Sequence, residues 1–198
     1  VAFEIDYTMA VPPLISGTEV LMTLVAGLSL PVAEFNQLLE GVIQEVRGRQ
    51  GHLTGNPVRL LVYGCVVDNL PFMELLESQG AQVVADDLPI GTRTFRFQVD
   101  TKREPVEALA RAYFTGVHCP RTSEARQDKS YQGELERRFG YIRDLAREFQ
   151  AQGAILYILR FCDPHMFDAL DVRDFLKTAG IPSLTLEDDY SLGNIGRM

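Results

Sequence analysis

Val58-Arg59-Leu60-Leu61-Val62-Tyr63 is a short, mostly apolar run stopped by Gly64, and Ala81-Gln82-Val83-Val84-Ala85 is another, stopped by Asp86-Asp87. Runs this short and this apolar read as strands buried on both faces. Between them, Asn69 stands at a helix N-cap position, Phe72, Leu75 and Leu76 share one helical face, and Gly80 falls just past the end. Strand, helix and strand in under thirty residues make a βαβ unit with a right-handed crossover.

Working outward from that unit, Leu135, Phe139, Ile142, Leu145 and Phe149 mark a long amphipathic helix, with Gly153 expected to close it. Ala154-Ile155-Leu156-Tyr157-Ile158-Leu159 is a third strand, more uniformly apolar than the others and therefore central. A helix from about Met166 to Ala179 ends at Gly180, and a fourth strand covers 182–186, with Pro182 suited to a strand start or an edge. The expected fold is α/β and flavodoxin/Rossmann-like: four parallel strands in order 2-1-3-4, near 58–63, 81–85, 154–159 and 182–186, with helices on both faces. Leu88 to Ser130 is less legible. Thr92 to Val99 alternates like an edge strand, and Pro105 to Phe114 reads as a short helix.

Upstream, Pro12-Pro13 break regular structure, and Ser16 with Glu19 has the spacing of a capping box. Pro31 suits the first turn of a second helix with Phe35, Leu38, Leu39, Val42, Ile43 and Val46 on one face, and Gly48 to Pro57 reads as a linker. The division expected is an N-terminal helical arm and linker over 1–56 and an α/β domain over 57–198.

Of the 198 residues, 46% are apolar and 23% charged, which suits a soluble globular chain with a sizeable core. The net charge of −8 argues against a nucleic-acid or anionic-membrane partner. The longest apolar run, Val20 to Leu30, is interrupted by Thr23, Gly27 and Ser29 and falls short of a membrane span. No secretory signal is visible. The start at Val1 and the irregular end at Gly196-Arg197-Met198 suggest a piece of a longer protein. Cys65, Cys119 and Cys162 are widely spaced with no CxxC pair, which removes zinc ribbons and thioredoxin-type chemistry and points to a reducing cytoplasm.

In open α/β sheets ligands bind beyond the carboxyl ends of the strands. Those ends read Gly64-Cys65-Val66-Val67-Asp68-Asn69, Asp86-Asp87-Leu88-Pro89, Arg160-Phe161-Cys162-Asp163-Pro164-His165 and Glu187-Asp188-Asp189-Tyr190-Ser191. A thiolate at Cys162 would meet the positive end of the next helix, a setting that favours metal ligation. Equally, Asp163 can cap that helix while Cys162 packs. His165 is expected at the same mouth. Asp86 and Asp87 either bind a ligand or brace a loop, and Tyr190 either offers a hydroxyl or covers the sheet edge. No GxGxxG, GxxxxGK[ST] or GxSxG motif is present, so nucleotide loops and the hydrolase elbow are set aside.

Taken in order, these stretches resemble the 2-hydroxyacyl-CoA dehydratase D-component and benzoyl-CoA reductase family. The matching segments are 59–69, 83–88 with Gly91-Thr92-Arg93, His118-Cys119-Pro120-Arg121, 153–165, and 179–182 through Glu187-Asp188-Asp189-Tyr190; Phe161-Cys162-Asp163-Pro164-His165 is the specific one. The resemblance implies the C-terminal half of an oxygen-sensitive subunit of anaerobic metabolism, paired with a paralogous subunit, each holding a [4Fe–4S] cluster. An ATP-dependent activator protein supplies one electron, and a ketyl radical of the acyl-CoA thioester permits loss of the 2-hydroxyl. It further implies that Cys162 is a cluster ligand, with Cys119 in a similar Cys-Pro turn as a second candidate, while Cys65 is not expected to be a ligand. Asp86, Asp87, Asp163, His165 and Tyr190, from the strand ends themselves, are the candidates for lining a substrate cleft. Because one thiolate falls short of the three or four that hold such a cluster, the isolated domain is expected to lack cluster and activity. Benzoyl-CoA reductase or a double-cubane-type ATP-dependent reductase is the neighbouring alternative. A non-catalytic docking or ligand-binding module is the more distant one.

Overall fold

A computed structural model describes residues 13–49, 56–117, 119 and 130–190. Helix α1 (Gly17–Ser29) starts on a complete capping box: the Ser16 hydroxyl accepts from the Glu19 N–H at 3.1 Å, and the Glu19 carboxylate accepts from the Ser16 N–H at 2.9 Å. Helix α2 (Val32–Arg47) follows Pro31. The α/β body then runs β1 (Val58–Gly64), α3 (Leu70–Ser78), β2 (Ala81–Asp87), a single turn α4 (Thr92–Phe95) and α5 (Pro105–Arg111), which widens into a π-helical turn over Ala112–Gly116. It closes with α6 (Tyr131–Glu148), β3 (Gly153–Leu159), α7 (Asp163–Thr178) and β4 (Ser183–Asp188). The sheet order is β2-β1-β3-β4 and every pairing is parallel.

Strand alternation sorts the core into two layers. Leu61, Tyr63, Ala154 and Leu156 face α6 and α7, packing with Phe139, Ile142, Val172 and Leu176. Val62, Ile155 and Tyr157 face the opposite way, against Leu21 of α1 and Phe72 and Met73 of α3. Fully burying an aliphatic side chain such as Leu156 stabilises the fold by roughly 1.5–3 kcal/mol. Helix α1 is stitched to this body: the Gly17 N–H and Thr18 hydroxyl both donate to the Glu77 carboxylate, at 2.7 Å each.

Two backbone features position the sheet's carboxyl edge. Gly64 has φ +151°, and a Cβ there would lie 1.9 Å from the Tyr157 carbonyl oxygen, so β1 and β3 can close only around glycine. The next residue follows directly, its N–H donating to that same carbonyl at 3.1 Å, which sets Cys65 at the end of the strand. In β2 the register slips: Leu60 pairs with Val83 but Leu61 with Ala85, leaving Val84 as a bulge.

Three local expectations change. Gly153 opens β3 instead of ending α6; the left-handed residue after that helix is Gln150 at φ 52°. The last turn of α6 is instead held by Arg59, whose buried guanidinium donates to the Phe149 carbonyl from Nη2 at 2.8 Å. The alternating segment from Thr92 begins as a helical turn and continues irregularly through Val99, because the Asp86 carboxylate takes the N–H of Thr92 and a tertiary anchor overrides the alternation. Helix α7 starts at Asp163, three residues earlier than its apolar pattern indicates. No helix among the described residues is long and apolar enough to cross a membrane.

Candidate functional site

Because all four strands run the same way, Cys65, Asp86-Asp87, Cys162 and Tyr190 follow β1, end β2, follow β3 and follow β4 on one edge of the sheet. At the end of β3 the chain turns tightly. Phe161 adopts φ +68° and is 86% exposed, and the Cys162 N–H donates to the Leu159 carbonyl at 3.0 Å. Cys162 is itself the N-cap residue of α7, its carbonyl accepting from the N–H groups of His165 and Met166. Asp163 and Pro164 are the first helical residues, and the Asp163 side chain makes no cap; it stands exposed beside the positive helix end, an arrangement worth about 0.3–1 kcal/mol. The half-buried Cys162 packs against the core layer that contains Cys65 and Tyr157. His165 is buried beneath α7, edge-on to the Tyr63 ring at 5.7 Å between centroids, and not at the mouth where its neighbourhood in sequence suggested.

The β2 corner is a set of braces. Asp86 accepts from the Leu88 N–H at 3.1 Å, the Thr92 N–H at 2.9 Å and the Thr92 hydroxyl at 2.7 Å. Burial pushes its carboxyl up from the ordinary range, partly opposed by those hydrogen bonds. A Cβ on Gly91 would lie 2.0 Å from Asp86 Oδ1, so the loop closes around this carboxylate only with glycine there. Asp87 accepts from Arg93 Nε at 3.1 Å and Nη2 at 2.7 Å, and from the Tyr141 hydroxyl at 2.7 Å. Burial alone would lower the Arg93 guanidinium, but the pair with Asp87 more than offsets it and holds the group above its ordinary value. Burial and the adjacent Asp87 charge push the Tyr141 hydroxyl up, so it stays a donor. Arg93, Arg96, Tyr141 and Glu148 line a polar cleft of about 400 Å³ next to this corner. Half-buried Cys119 lies near Arg93; the rest of the His118-Cys119-Pro120-Arg121 turn lies outside the described residues.

The β4 corner has its own network. The Asp188 carboxylate is buried and accepts the Tyr157 hydroxyl and the N–H groups of Asp189 and Tyr190. Burial, then Asp188, pushes the Tyr157 hydroxyl up. Arg160 pairs at the surface with Glu187 at 2.8 Å, a contact of the exposed kind that contributes about 0–1 kcal/mol. Sequence reading missed Arg93, Tyr141, Tyr157 and Asp188 as members of these networks. Arg93 had a signal in the Gly91-Thr92-Arg93 match, whereas Tyr141 reads only as part of an amphipathic helix.

Residues 4–198 match the model of the family described as 2-hydroxyglutaryl-CoA dehydratase, D-component. The chain belongs to that family. Among curated relatives, it is 26% identical over 137 residues to the (R)-phenyllactyl-CoA dehydratase beta subunit of Clostridium sporogenes, covering 69% of this chain and 34% of that one. It is 25% identical over 175 residues to a benzoyl-CoA reductase subunit of Thauera aromatica, covering 87% of this chain and 43% of that one. The chain thus spans less than half the length of either relative. For a D-component chain the fit to an iron–sulfur cluster is partial. Cys162 offers a half-buried thiol at a helix N-terminus on the open edge, which suits one ligand position. Cys65 is 3% exposed and its sulfur accepts the Leu159 N–H at 3.4 Å, which suits packing. Among the described residues no three His, Cys, Asp or Glu side chains converge as a metal site.

Proposed function

We propose that this chain is the cluster-edge domain of an iron–sulfur 2-hydroxyacyl-CoA dehydratase subunit, a lyase component that works in the cytoplasm of an anaerobe. The observation that supports it most is the placement of Cys162 at the N-cap of α7, on the carboxyl edge of the sheet, within a segment that the family match covers. In this reading Cys162 supplies one thiolate to a [4Fe–4S] cluster, and the remaining ligands come from outside the described residues, with Cys119 the weaker candidate within the chain. When bound, such a cluster would provide one-electron chemistry toward an acyl-CoA thioester once an ATP-dependent activator protein had reduced it, which would make an unactivated dehydration accessible. A paralogous subunit completes the assembly, and residues 57–198 carry the site while 1–56 serve as an arm; alone, the domain is inactive.

The protein's own groups then have separable tasks. Asp86 and Asp87 hold the β2 corner in shape through Thr92, Arg93 and Tyr141, each carboxylate accepting three hydrogen bonds. Asp163 and Tyr190 stay open to solvent on the same edge. The match to a benzoyl-CoA reductase subunit, which extends over more of this chain than the dehydratase match, supports reduction of an acyl-CoA ring as the second reading. Anaerobic reconstitution of the gene's complete product with its partner subunit and activator tests both. Water loss from a 2-hydroxyacyl-CoA supports the dehydratase, turnover of benzoyl-CoA alone supports the reductase, and a protein that takes up neither iron nor sulfide removes both.

A further inference from the structure

Tyr190 leaves the end of β4, yet its hydroxyl donates to the carbonyl of Val66, just beyond β1, at 3.1 Å. Strands β1 and β4 are not neighbours; β3 lies between them. The Tyr190 side chain therefore crosses the carboxyl end of β3 close to Cys65, and burial, then the neighbouring Asp68 charge, pushes its hydroxyl up. Cys65, the residue before that accepting carbonyl, is 3% exposed, while Tyr190 is 48% exposed.

The crossing is anchored at one end. Tyr190 has φ +60°, a left-handed conformation that bulky residues rarely hold without help. The help comes from Asp188, which is 2% exposed. Its Oδ1 accepts the N–H groups of Asp189 at 2.8 Å and Tyr190 at 3.2 Å, and its Oδ2 accepts the hydroxyl of Tyr157 from the central strand. Three donors on one buried carboxylate make the base of the strap rigid, whereas its tip is held at the β1 loop by the Tyr190 hydroxyl. Motion that opens the crevice would accordingly swing the ring off the β1 loop while the base stays fixed.

We infer that Tyr190 is a strap closing the end of β3 over Cys65, and that Asp188 is the positioning residue that holds it. The inference uses the proposed function only to say what enters when the strap lifts, namely the acyl-CoA thioester; the strap itself does not depend on a cluster.

The test is the alkylation rate of each cysteine by N-ethylmaleimide in the folded, cluster-free chain, read by peptide mass spectrometry. Tyr190→Ala should speed labelling of Cys65 by about tenfold, the factor expected from losing the cover and one to two net hydrogen bonds. Tyr190→Phe, which keeps the ring, should speed it only a few-fold. Asp188→Ala should match Tyr190→Ala, and Asp188→Asn, which retains an acceptor, should restore part of the protection. Cys119 serves as the internal control, since a general loosening would raise its rate in parallel. Unchanged Cys65 labelling in Tyr190→Ala, or equal acceleration of Cys65 and Cys119, overturns the inference. Failure of the cluster reading would appear instead as absent iron, leaving these rates untouched.

Discussion

Replacing Arg93 with leucine removes the guanidinium that neutralises Asp87 while keeping much of the apolar stem's volume. The two side chains are only 11% and 5% exposed, and the pair is bidentate, with a further bond from Nη2 to the Asp87 carbonyl at 2.9 Å. After the change the Tyr141 hydroxyl is the one donor of this set left to the carboxylate. Breaking a buried pair by removing one partner costs about 3–5 kcal/mol, because the other charge is stranded. For a chain of this size each kcal/mol moves the thermal midpoint by about 2–4 °C, so Arg93→Leu should lower it by roughly 6–20 °C. Asp87→Asn added to Arg93→Leu removes the stranded charge and should recover most of that loss. Circular dichroism melts of the four proteins in the cycle give the coupling directly. An Arg93→Leu protein that melts within about 2 °C of the parent, less than 1 kcal/mol on the same scale, would show that the pair is not what holds this corner and return Asp87 to the pool of groups available to a ligand.

Asp86 carries a pH signature of the opposite sign from an ordinary ion-paired carboxylate. Its folded-state value is raised by burial, so its contribution is fully present below the unfolded value near about 4 and is lost as pH rises through the folded one. The thermal midpoint of Asp86→Asn relative to the parent should therefore improve from pH 4 to pH 8, and a flat difference across that range counts against a buried, proton-favouring site. Gly64→Ala forces a Cβ to 1.9 Å from the Tyr157 carbonyl and should cost about 4 kcal/mol or more, read as loss of soluble folded protein; normal expression and melting would show that β1 and β3 can separate freely. Cys65→Ser should leave the iron content of the reconstituted complete protein unchanged, since that sulfur packs against Leu159; loss of iron would make it a ligand.

The parallel sheet was legible because Val58–Tyr63 and Ala154–Leu159 are too short and too apolar to be surface helices, and turn residues bracket them. Sheet order followed from right-handed crossovers and from the unbroken apolarity of the third strand. In Thr92–Val99 the alternation is real but is overruled by a hydrogen-bonded carboxylate six residues upstream, which no local pattern announces. His165 was placed at the mouth by its neighbours in sequence, whereas the first turn of α7 rotates it under the helix toward Tyr63. The candidate edge was visible as a row of strand ends, yet the partners that hold it together were not. Tyr141 meets Asp87 across 54 residues and Tyr157 meets Asp188 across 31, separations at which sequence spacing carries no geometric information.

We propose Cys162 as a cluster ligand and not only as the cap of a helix. The most direct test is the iron and acid-labile sulfide content of the anaerobically reconstituted complete protein, parent against Cys162→Ser, with the visible spectrum recorded alongside. Serine matches the thiol closely in volume and leaves the backbone cap of α7 intact, so the fold should survive and the melt should barely move. The parent should bind about four iron atoms per cluster with a brown absorption band, and Cys162→Ser should lose most of both. A Cys162→Ser protein that keeps its iron, sulfide and spectrum would contradict that assignment.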